Sequence, residues 1–119
     1  MSMKKIAIIL GRPPYGQINA AEAVRHALGA AGGEMEVSLV LVDGGTLLAR
    51  KGQEEAETGI TNLGSALEDC LSMDIRVCAE KGSLRQERLE PGDLIDGVSV
   101  VGSMEVAEIL RDADHTMVF

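Results

Sequence analysis

No apolar run in this chain approaches the roughly 20 residues that a helix needs to cross a bilayer, so no membrane span is expected. Positive charge is scarce as well. The 119 residues carry 11 Lys and Arg against 19 Asp and Glu, a net charge of -8. That leaves no basic face to displace counterions from nucleic acid or an anionic membrane, and direct nucleic-acid binding is not expected. Cysteine is limited to Cys70 and Cys78, which excludes a disulfide framework and a thiolate metal cluster; their spacing matches no zinc or redox pair. Neither a metal nor a cofactor is expected. The start, Met1-Ser2-Met3-Lys4-Lys5-Ile6, runs straight into a strand-like segment without a cleavage site, which gives a cytoplasmic expectation.

What is present alternates between two periodicities. Residues 5–10 form a compact Ile- and Ala-rich run ending in Gly11-Arg12-Pro13-Pro14-Tyr15-Gly16, a buried strand feeding a rigid turn. From Asn19, read as an N-cap, Ala20, Ala23, Val24, Ala27 and Leu28 recur at helical spacing until Gly32-Gly33. Residues 35–42 give a second strand, continuous enough in Val and Leu to be covered on both sides. Residues 46–57 read as a mobile connection. Ile60, Leu63, Leu67, Cys70 and Leu71 then share one stripe of a helix ending near Ser72. Residues 74–78 give a third strand closed by Cys78, residues 82–90 a helix around Leu84 and Leu89, and residues 98–101 a fourth strand. A helix capped by Ser103 and a final strand over 116–119 complete the pattern. Strands alternating with helices at these intervals predict right-handed crossovers and an α/β fold, with a parallel sheet covered on both faces. A chain of this length fits one domain, residues 1–119.

The chemistry these residues allow narrows to sulfur. The loop after the first strand lacks the spacing of a dinucleotide or P-loop motif and carries two prolines that remove backbone donors. Neither histidine has a serine neighbour to suggest a hydrolytic triad. Glu54, Glu55 and Glu57 read as a solvated face. Cys78 stands where a strand gives way to polar, helix-forming sequence, the place where an open α/β sheet gathers reactive groups. A helix start there, with Lys81, Arg85 and Arg88 close behind, favours thiolate, and Glu80 opposes them. Cys78 as a small buried hydrophobe is the bland alternative. Tyr15 either packs over the sheet edge or walls a pocket at the strand ends.

Four stretches together resemble the DsrE/DsrF-like sulfur-relay family: Gly11-x-x-x-Tyr15-Gly16, Val42-Asp43-Gly44, Val77-Cys78-Ala79 with Ser83-Leu84-Arg85, and Ala113-Asp114 leading to Val118-Phe119. The resemblance spans nearly the whole chain. It implies a three-layer α/β/α subunit with a mostly parallel open sheet of about five strands, assembling as homo- or hetero-oligomers with related subunits. It further implies a sulfurtransferase or persulfide carrier that takes sulfane sulfur onto Cys78 from a donor protein and yields it to an acceptor. Lys81 and Arg85 would stabilise the thiolate, and the Tyr15 and Gly44 loops would form the pocket. Two departures point the other way. Glu80 and Lys81 are charged where active subunits have small neutral residues, and Ser83-Leu84-Arg85 looks like the DsrF type of subunit. The resemblance therefore also admits a non-catalytic assembly subunit or small-ligand binding module.

Overall fold

The computed structural model describes residues 4–14, 18–51 and 63–119. Within them, β1 (Lys5–Leu10), α1 (Asn19–Gly32), β2 (Glu36–Leu41), a 3-10 helix (Asp43–Ala49) and α2 (Leu63–Ser72) form the first half. β3 (Arg76–Glu80), α3 (Lys81–Gln86), a 3-10 turn (Pro91–Asp93), β4 (Ser99–Val101), α4 (Ser103–Asp112) and β5 (His115–Val118) form the second. The five strands lie in the order β4-β3-β2-β1-β5, and every pair is parallel. The α/β expectation holds, with no antiparallel strand in the sheet.

The order of the strands decides which face each helix covers. From β1 to β4 the chain steps in one direction across the sheet, so right-handed crossovers put α1, α2 and α3 on one face. From β4 it must return to the far side of β1, which puts α4 on the opposite face. Strand residues sort accordingly. Ile6, Ile8, Leu10, Val37, Leu39, Leu41, Val77 and Ala79 join Ala23, Ala27, Leu67 and Leu84 in the main core. Truncating a fully buried member such as Leu39 to alanine costs about 2–5 kcal/mol in comparable sites. The alternate residues Ala7, Val40 and Cys78 are equally buried but belong to the thinner layer beneath α4, none of whose own side chains is fully buried.

Several sequence expectations are corrected. β3 does not end at Cys78: it begins at Arg76, because Asp74 takes a left-handed turn (φ 61°), and it continues through Ala79 and Glu80, which pair with Val100 and Val101. The helix expected over 82–90 is confined to Lys81–Gln86, stopped by Arg88 in a left-handed conformation (φ 59°). Asn19 is the first residue of α1 instead of its cap; Ile18 precedes it, and no side chain caps the helix. The first part of the supposed mobile connection is ordered. Thr46, Leu48 and Ala49 are buried, and Ile95 and Lys51 bond through their amides to Ala49 and Asp93. The remainder, residues 52–57, and Ile60 lie outside the described residues. No helix among the described residues is long and apolar enough to cross a membrane.

Candidate functional site

At the carboxyl ends of the strands the loops are locked to one another. A Cβ on Gly45 would lie 2.0 Å from the Leu10 carbonyl oxygen, and one on Gly44 would lie 2.9 Å from Pro13 Cδ. The turns after β1 and β2 are thus in backbone contact. Asp43 takes a left-handed conformation (φ 48°), and its N–H donates to Ser83 Oγ at 2.7 Å. Thr46 Oγ1 donates to the Asp43 carbonyl. Ser83 is itself buried; its N–H and its hydroxyl both donate to Glu80 Oε1, at 2.8 and 3.2 Å. Glu80 therefore caps α3 and ties the ends of β2 and β3 together through Ser83. Gly44 is part of this scaffold, and Tyr15 lies outside the described residues.

Cys78 sits elsewhere. It is the middle residue of β3, paired with Val40 on β2 and Ser99 on β4, and is 0% exposed. Its side chain is on the α4 face, two residues from Arg76 and on the same side of the strand. Burial pushes the Cys78 thiol up, the Arg76 charge pulls it down, Glu105 on α4 pushes it up again, and a hydrogen bond from Arg76 lowers it. The guanidinium of Arg76 is held 3.2 Å from the Glu105 carboxylate. Both residues line a cavity of about 260 Å³ between α4 and the amino-terminal half of the sheet, with Lys5, Ala7, Ser38 and Glu108 among its walls. Cation and carboxylate thus line an opening under α4, and the buried thiol feels the charge of both.

Lys81 and Arg85, expected to tune the thiol, are exposed and line a different groove together with Leu84 and Val100, on the α3 face of the sheet. Arg76 and Glu105 went unnoticed in the sequence. The first was legible, since two residues apart on one strand means the same face; the second was not, because it reaches Arg76 only through tertiary packing across 29 residues. Cys70, on the main-core side of α2, is also 0% exposed, and burial followed by the Asp69 charge pushes it up to about 11. No group of three His, Cys, Asp or Glu among the described residues could hold a metal ion.

Known proteins show the same architecture. The chain is 29% identical over 114 residues to an uncharacterized protein of Methanopyrus kandleri, covering 96% of this chain and 93% of that one. It is 26% identical over 117 residues to an uncharacterized protein of Methanocaldococcus jannaschii, covering 97% and 99%. The crystal structure of the ychN protein from E. coli superposes with a TM-score of 0.87 at 23% identity, over 99% of this chain and 100% of that one, a likeness of fold. The model of the DsrE/DsrF-like family matches residues 4–119. With residues 4–119 matched, this protein belongs to the DsrE/DsrF-like family.

Proposed function

We propose that this protein is a cytoplasmic sulfur-relay subunit, one domain over residues 1–119, that carries sulfane sulfur as a persulfide on Cys78. The observation that carries the reading is the pairing of the buried Cys78 thiol with Arg76, which lines the cavity under α4. A guanidinium beside a thiol stabilises both the thiolate and a persulfide anion. The transfer needs no oxidant from outside. Cys78 Sγ, as thiolate, attacks the terminal sulfur of a donor persulfide; the new S–S bond forms as the donor's S–S bond breaks, and the donor leaves as a thiolate. The acceptor thiolate later repeats the exchange and returns Cys78 to the reduced state. Donor and acceptor are proteins, and members of the family generally form oligomers, so the partners include related subunits.

Incubation with a sulfane-sulfur donor followed by peptide mass spectrometry tests this. A gain of one sulfur, about 32 Da, is expected on Cys78 and is expected to be missing in Cys78→Ser. An adduct confined to Cys70, or none at all under conditions that load a control carrier, would sink the proposal. A second reading, a non-catalytic assembly subunit, is favoured by one observation: the thiol is fully buried and its pKa is raised, so little thiolate stands ready at neutral pH.

A further inference from the structure

We infer that the groove between α3 and the outer strand β4 is a docking site for an acidic, extended peptide segment of a partner protein. The inference does not rest on the sulfur-carrier reading. Three cations, Lys81, Arg85 and Arg88, converge on this groove of about 510 Å³. In a chain of net charge -8, Lys5, Arg25, Lys51, Arg76 and Arg111 each stand beside a carboxylate. The side chains of Lys81, Arg85 and Arg88 have neither a hydrogen bond nor an ion pair among the described residues. Glu90 is the single carboxylate in the lining.

The groove has an apolar floor, formed by Leu84, Leu89 and Val100, the last 39% exposed. β4 ends the sheet, and among the described residues its outer edge has no partner strand. Edge, floor and cations together fit a peptide strand that lies beside β4, sets an apolar side chain on Leu84 and Val100, and meets the three cations with its carboxylates. A small inorganic anion would leave the apolar floor unused.

The test is fluorescence anisotropy of the intact protein with a labelled peptide of about eight residues alternating glutamate and valine. Saturable binding is expected, weakening as salt rises from about 0.05 to 0.3 M. Reversing the cations together (Lys81→Glu, Arg85→Glu, Arg88→Glu) is expected to weaken binding about tenfold or more, and Arg25→Glu, remote from the groove, to change it little. Because three changes on and just after a short helix could disturb folding, Val100→Glu on β4 provides an independent arm and is expected to weaken binding as well. Peptide binding that does not saturate, or that is indifferent to both groove variants, overturns the inference. So does tighter binding by a single-stranded oligonucleotide of the same length.

Discussion

At the scale of single residues, burial raises the Cys78 thiol most, and Arg76 and Glu105 are the charges that adjust it. Arg76 lowers its pKa and Glu105 raises it. The midpoint of a pH profile for iodoacetamide labelling of Cys78 is therefore expected to move up in Arg76→Ala and down in Glu105→Gln, and to stay in place in Glu80→Gln and Arg85→Ala. Midpoints, unlike rates, separate charge from access. Unmoved midpoints in the first two variants would show that the cation does not address the sulfur. Cys70 supplies a prediction about stability. Its pKa rises from an ordinary 9.0 to about 11 on folding. The folded state thus holds the proton more tightly, and the resulting stability is complete below the ordinary value and lost as pH climbs toward 11. At pH 10, one pH unit above the ordinary value, the loss is about 1.4 kcal/mol. Urea melts between pH 8 and 10 should fall by that much more in the parent than in Cys70→Ala.

At the scale of elements, the junctions after the strands are where substitutions should cost most. Ser83→Ala takes the hydroxyl from the Asp43 N–H and from the Glu80 carboxylate in a part-buried place, so it is expected to cost about 1 kcal/mol in urea unfolding. Gly45→Ala forces a Cβ into the Leu10 carbonyl, and since that oxygen is backbone and the Cβ is fixed by its own Cα, neither can yield cheaply. It should lower the melting temperature more than Ser83→Ala does. A Gly45→Ala protein that melts like the parent would mean that the two turns separate freely. These junctions also mark what the sequence made legible. β1 and β2 could be read within a residue or two because runs of Ile, Val and Leu bounded by Gly declare buried strands. The end of β3 could not. Ala79-Glu80-Lys81 suits a helix as well as a strand, and only pairing with β4 decides between them. Reading the strand as closed at Cys78 moved the thiol to the strand end and beside the wrong cations. Nothing local announces that α4 returns from one sheet edge to the other and covers Cys78 from above.

At the scale of the whole molecule, the thin layer under α4 and the thick core beneath α1 and α2 make the two faces of the sheet unequal. The main core holds nearly all of the large buried side chains, whereas Val118 and Met104, beside or on α4, are 74% and 80% exposed. Opening the α4 side therefore breaks little packing, and a probe that reports α4 should yield first. Backbone hydrogen exchange is expected to be faster in α4 than in α1, despite comparable helix-forming sequences. Equal protection would make α4 part of the same cooperative unit and would leave no low-energy route to Cys78.

The pairing of β5 with β1 has a consequence for how the protein is made. Ile6 meets His115, and the Lys5 amide bonds to Asp114 across 109 residues. A ribosome delivers β1 first and β5 last, so through most of synthesis the second edge of β1 is an open row of hydrogen-bonding groups next to an apolar strand. The nascent chain can assemble β1 to β4 in order, each beside its predecessor, yet the sheet is closed on that side only after α4 has crossed it. Contacts of such long span form slowly. A chain stopped after Asp112 would keep that edge exposed for good and is expected to pellet with the insoluble fraction on expression, whereas the full chain, once released, seals it.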